Sequence, residues 1–274
     1  MRGPISCGHN DRSNWARPAL IFLVLLFQLA PQYSKPALAL TGENQAEDLS
    51  STQDRLYKYF MSVAFGEVAE NSSVNIIVRF KDEIRIGISA NSPQIANERL
   101  TLLEANFEKV AIISKLKLAY DQKRTNLQIF FYKSLEQMSE LASSIRQGYA
   151  RSAGMINIAD GIEKISSSQC FSGAARKADG TISFLLVAVP EHDDTEWVRR
   201  CLLKAFLKGL GLSHIGPKGT YFGTIGREQQ HNMPTAREWL LLRILYDPRM
   251  APGLGPHVAG PVARTVIKEL LKEN

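Results

Sequence analysis

The 274-residue chain is long enough to bury a sizeable core, and its 45% apolar and 22% charged residues exclude a disordered chain, a coiled coil or a collagen-like rod. Its formal charge of +6 is no nucleic-acid footprint: Arg2, Arg12, Arg17 and Lys35 against Asp11 put +3 into residues 1–39, which leaves only +3 for everything after them. Nucleic acid is therefore not an expected partner.

Residues 1–39 read as a signal peptide. A positive start leads into the mainly apolar run from Ala19 through Phe27 to Ala30, and Ala37-Leu38-Ala39 matches the small-x-small pattern after which a signal peptidase cuts. The run is about 12 residues long, where a membrane-crossing helix needs about 20. This predicts a periplasmic or secreted protein; anchorage to the inner membrane by an uncleaved segment is the alternative. Cys7 leaves with the signal peptide, and the even pair Cys170 and Cys201 then suggests one disulfide in an oxidising compartment. Two buried thiols that never meet are the other reading.

Residues 40–52 are small and polar, a flexible start to the mature chain. One α+β domain is expected over 53–274. Leu56, Tyr59, Phe60, Val63 and Ala64 recur at helical spacing from Gln53 to Val68, with Thr52 as a cap. The β-branched runs 74–80 and 84–88 predict a hairpin across Lys81-Asp82-Glu83. Ser92-Pro93 opens a helix through about Leu118. Residues 127–132 form a strand, and the spacing of Ser134 and Gln137 predicts a capped helix to about Gly148.

Residues 150–181 are rich in Gly and Ser and read as irregular. The apolar run Ile182–Val189, bounded by Gly180 and Pro190, predicts a buried central strand. Asp193, Asp194 and Thr195 cap a helix ending near Leu210 and Gly211, Thr235 and Glu238 form a capping box for a helix through Tyr246, and Pro261 starts the last helix.

The helix from Cys201 to Gly211 should carry any chemistry. Metallopeptidases of the metzincin type place H-E-x-x-H-x-x-G-x-x-H at such a helix, because imidazoles at i and i+4 share a face and Gly lets the chain turn to bring a third ligand. The Glu is general base for the metal-bound water. On that template Gly211 takes the turn and His214 the third-ligand position. Lys204 and Lys208 stand at the first two ligand positions and Ala205 at the base position. An ammonium has no lone pair for zinc, and Ala accepts no proton. No metal and no cofactor are expected. The two lysines read as a solvated basic face opposite Val198, Leu202, Phe206 and Leu210, with an anion site beside His214 as the sharper alternative. His192, Asp193 and Asp194 read as a helix start, and His231 and His257 as loop histidines.

Residues 201–253 resemble the bacterial family known as domain of unknown function 2927. The resemblance rests on Cys201, Leu210-Gly211-Leu212 and the long motif from Leu241 through Tyr246, Asp247, Pro248 and Arg249 to Gly253. It implies an exported protein with a zincin-like α+β fold, in which a mixed sheet packs with long helices and the C-terminal third is helical. The family usually shows Glu, Glu and Gln where this chain has Lys204, Ala205 and Lys208. The expected role is therefore non-catalytic: binding another envelope protein or an anionic ligand through a degenerate cleft. A metal-dependent peptidase using His214 with His231 and an acidic residue is one alternative. A structural envelope component binding anionic polymer or lipid is another. Tyr246, Asp247, Pro248 and Arg249 read as a structural turn, with Asp247 and Arg249 fixing the chain where the helix stops.

Overall fold

The structure, a computed structural model, describes residues 42–66, 75–165, 169–217, 220–222 and 233–273. The segment 1–39, read from the sequence as a signal peptide, lies with Cys7 outside the described residues, and so does His231. Among the described residues no helix is long and apolar enough to cross a membrane.

Five strands make one mixed sheet: β1 (Ile84–Ser89), β2 (Leu118–Tyr120), β3 (Leu127–Tyr132), β4 (Phe171–Arg176) and β5 (Ile182–Pro190). Their spatial order is β2-β1-β3-β5-β4, with β4 antiparallel to β5 at one edge and all other pairs parallel. Seven helices surround the sheet among the described residues: α1 (Gly42–Phe65), α2 (Pro93–Ser114), α3 (Leu135–Gly148), α4 (Ala153–Ile162), α5 (Thr195–Gly209), α6 (Ala236–Leu245) and α7 (Pro256–Glu273). The expected mixed sheet with long helices is present. Helices interleave with parallel strands, however, so the arrangement is a layered α/β one rather than segregated α and β parts.

Strand periodicity assigns the layers. In β5, Leu185, Val187 and Val189 enter the core shared with α1, α2, α5, α6 and α7, while Leu186 and Ala188 enter the core under α3 and α4. Both faces of β5 are thus buried, which is why its sequence is continuously apolar. In β3, Leu127, Ile129 and Phe131 take the first core and Tyr132 the second.

Capping signals in the sequence hold at three helices. Ser134 accepts from the Gln137 N–H at α3, and Asp194 accepts from the N–H groups of Glu196 and Trp197 at α5. Thr235 and Glu238 complete a capping box at α6.

Four expectations are corrected. The stretch 75–80 makes no hairpin with β1, whose two sides are taken by β2 and β3; it runs extended and bridges only Arg79 to Thr181. Residues 150–181, read as irregular, contain α4 and β4. β4 lacks β-branched residues because α4 packs tightly on it: a Cβ at Gly154 would lie 2.9 Å from Ala175, and one at Gly173 3.2 Å from Ile158 of α4. Helix α1 begins at Gly42 instead of Gln53, so residues 42–52 are helical. Helix α7 begins at Pro256 and carries Pro261 inside it, which puts the exposed His257 in a helix and not a loop.

Candidate functional site

Helix α5 follows β5, an interior strand beside the edge strand with β3 at the sheet's centre, and packs on β5 and β4. Its start is set by Asp194, whose carboxyl is held below the usual range, chiefly by the Trp197 N–H that it accepts. The expected disulfide is present: Cys201 on α5 is bonded to Cys170 just before β4, with Cα atoms 5.8 Å apart. It pins the helix to the edge strand.

After α5 the chain turns at Gly211. Its φ is +118°, and a Cβ there would lie 1.9 Å from the Val78 carbonyl oxygen, so no side chain fits. This close approach lets the chain double back within the fold. His214 then donates its backbone N–H to the Val63 carbonyl at 3.0 Å, and its ring lies beside Gly66 at the end of α1. Burial, with the charge of Arg176 on β4, pushes the His214 imidazole below its ordinary value.

The two lysines are neither fully solvated nor fully buried. From Cys201 to Leu212 every residue is buried except Lys204 and Lys208, and both of these are half-buried. The helix packs on β5, β4 and α2, and Arg200, Lys204 and Lys208, each one turn after the last, form its partly exposed stripe. Burial lowers both amines below the ordinary lysine value; for Lys204 the charge of Lys208 adds to the effect and the Glu238 carboxylate opposes it. The Lys204 amine stands 5.8 Å from the centre of the Tyr221 ring. Ala205, at the position of a metallopeptidase base, is 5% exposed and has no acceptor to offer.

Beside Lys204 lies a residue that reads in the sequence only as half of a capping box. Glu238 is 4% exposed and receives four hydrogen bonds. Oε1 accepts from the Tyr59 hydroxyl at 2.9 Å and from the Tyr221 N–H; Oε2 accepts from the Thr235 N–H at 2.7 Å and the Thr235 hydroxyl at 2.9 Å. It thereby joins α1, the 220–222 segment and α6. The capping spacing marks its local partner, but nothing in the sequence marks Tyr59 or Tyr221. Burial and the neighbouring Glu238 charge push the Tyr221 hydroxyl well up.

The Tyr246-Asp247-Pro248-Arg249 motif ends α6 under this site. The Tyr246 hydroxyl donates to the Leu210 carbonyl and accepts from the Phe80 N–H. Arg79 lies 5.2 Å from the Tyr246 ring centre and donates to the Leu245 and Asp247 carbonyls. Asp247 pairs with Arg249, which reaches on to Glu269 in α7, and the Arg249 hydrogen bond holds the Asp247 carboxyl below its usual range.

The structure thus joins Lys204 with Lys208, and His214 with Arg176, without gathering a ligand set. Among the described residues no three His, Cys, Asp or Glu side chains are grouped so as to hold a metal ion. His192 instead uses Nδ1 to accept the Asp194 N–H and stacks against Trp197. A family model described as "Protein of unknown function (DUF2927)" matches residues 53–265. No curated protein and no solved structure matches the chain.

Proposed function

The chain belongs to the DUF2927 family, and on that footing we propose that it is an exported cell-envelope protein with a zincin-like fold whose cleft binds a partner or ligand without catalysing a reaction. The observation that carries this reading is the row Lys204, Ala205 and Lys208 on α5. A metallopeptidase needs two imidazoles and a carboxylate there, and this chain supplies two cations and a methyl group.

The zincin-like part draws support from the course of the chain. A helix follows the buried interior strand β5, is closed by the left-handed Gly211, and is followed by His214 and then by the Tyr246 turn beneath it. Export draws support from the small-x-small site at Ala37-Leu38-Ala39 and from the Cys170–Cys201 disulfide, which persists best in an oxidising compartment. A broad display of positive charge towards polymer or lipid is less well served, because Lys204 and Lys208 are half-buried.

Metal analysis and peptidase assays on purified protein test the proposal. The expected result is no stoichiometric zinc and no cleavage; tightly bound zinc with peptide-bond hydrolysis overturns it. N-terminal sequencing of the protein recovered from the envelope fraction is expected to begin at Leu40, and a start at Met1 removes the cleaved-export part.

A further inference from the structure

We infer that the corner made by the end of α2, the edge strand β2 and the loop after it docks on an anionic membrane surface, with Ile112 and Tyr120 entering the headgroup layer among basic side chains. The inference does not rest on the reading of α5, and zinc or peptidase activity there would leave it standing.

Charge is unevenly spread along the chain. Beyond residue 39 there are 29 basic residues against 26 acidic ones, a net of +3. Residues 109–124 alone carry +4, from Lys109, Lys115, Lys117, Lys123 and Arg124 against Asp121, so all the rest beyond residue 39 sums to −1. All five cations are exposed. Lys117 pairs with Glu83 and Arg124 with Asp121, while the Lys109 amine lies over the Trp239 ring. Among the described residues no carboxylate pairs with Lys115 or Lys123. Lys115 also caps α2 at a φ of 59°, a left-handed position that glycine fills at less cost, so local conformation does not explain the lysine. Glu104 and Glu108, exposed further back on α2, bound the basic corner on that side.

Apolar side chains stand in the same stretch. Ile112 is 70% exposed, the most of any large hydrophobic among the described residues, and Tyr120 is 55% exposed. Leu118 packs against the main core, as does Ile113 of α2. Strand alternation therefore turns Tyr120 to the α2 side of the sheet. β2 is the outermost strand at its end of the sheet.

An anionic bilayer suits both features at once. Its surface potential attracts clustered Lys and Arg, at about fivefold in binding for each one. Its headgroup layer accepts apolar tips, and tyrosine favours that boundary. A nucleic acid would meet the cations but set Ile112 against phosphates.

Vesicle flotation of the purified protein, in the form that cells accumulate, tests the surface. The vesicles are phosphatidylcholine alone, or phosphatidylcholine with an equal part of phosphatidylglycerol. Binding is expected with the anionic vesicles only, and is expected to fall as sodium chloride screens it. Lys115→Glu with Lys123→Glu is expected to weaken it by about tenfold or more. Ile112→Ser is expected to weaken it while the salt dependence remains. Lys268→Glu, at an exposed position on α7, is expected to bind like the parent. An unchanged unfolding midpoint checks that each variant is folded; Lys115→Gly with Lys123→Gln, which relieves the left-handed cap, takes the place of the charge reversal if that variant unfolds. Equal binding to both vesicles, binding to neither, or parental binding by the lysine variant overturns the inference. Parental binding by Ile112→Ser means that charge alone is read, and the membrane assignment falls. Salt-sensitive binding to polyglutamate without vesicle binding assigns an acidic polypeptide instead, and overturns it equally.

Discussion

The hydroxyl of Tyr246 donates to the backbone carbonyl of Leu210 across 3.1 Å, and so ties the end of α6 to the end of α5. Leu210 is the C-terminal cap of α5, where carbonyls lack an intrahelical partner, so a side chain from a remote element satisfies a group that the helix itself leaves open. The same oxygen accepts the Phe80 N–H. Removing it in Tyr246→Phe strands two buried backbone groups, with an expected loss of about 2–4 kcal/mol in urea unfolding. A loss below experimental error would show that the hydroxyl is incidental and that only the ring matters.

Glu238→Gln keeps the shape of the side chain but turns one accepting oxygen into a donor. Whichever way the amide is oriented, it faces two N–H or O–H groups that need an acceptor. The expected cost is about 2–4 kcal/mol by chemical denaturation. Stability equal to the parent would mean that the carboxylate is not the hub described above.

Gly211→Ala forces a Cβ into the Val78 carbonyl at a φ of +118°. It is expected to cost about 3 kcal/mol or more, or to give insoluble protein. Gly255→Ala meets nothing within 4 Å and is expected to leave the unfolding midpoint nearly unchanged. The contrast between the two is the measurement.

The Cys170–Cys201 bond closes a loop with a sequence separation of 31. Its removal by Cys170→Ser with Cys201→Ser should cost about 3–4 kcal/mol in the chain-entropy model. Comparing oxidised protein, reduced protein and the double variant by thermal unfolding checks this.

Lys208→Met should stabilise the protein at neutral pH, with a gain that fades on the alkaline side. Burial sets the folded-state pKa of Lys208 below the usual 10.5, so between those two values the unfolded chain binds more protons than the folded one. The parent therefore gains stability as pH rises through that window, and the variant, with no proton to release, does not. Unfolding midpoints at neutral pH and near pH 10.5 read the difference; a gain independent of pH would mean that packing and not charge is responsible.

Local signals were well represented in the sequence. The apolar run of β5 and the caps at Ser134, Asp194 and Thr235 could all be read because each depends on neighbours a few residues away. β4 could not: Phe171-Ser-Gly-Ala-Ala-Arg176 lacks the β-branched residues that mark strands, since its small side chains answer to the closeness of α4. The pairing of 74–80 with 84–88 failed because β propensity says nothing about which strand is the neighbour. The half-burial of Lys204 and Lys208 was hidden for a related reason. Periodicity gives a helix one apolar side, but α5 is enclosed on several, which only the assembled layers reveal.

The stretch 75–80 makes no ladder, yet sections of chain from far along the sequence converge on it. The Ile77 carbonyl receives the Gly253 N–H, the Val78 carbonyl touches Gly211, and the Arg79 guanidinium donates to the carbonyls of Leu245, the last residue of α6, and of Asp247 beyond it. A chain that emerges N-terminus first must therefore hold this stretch without its native partners until nearly the whole polypeptide has been delivered. Closure of the fold is in effect a post-delivery event, and a protein truncated before Gly253 would lose the lock on its early half as well as its late one.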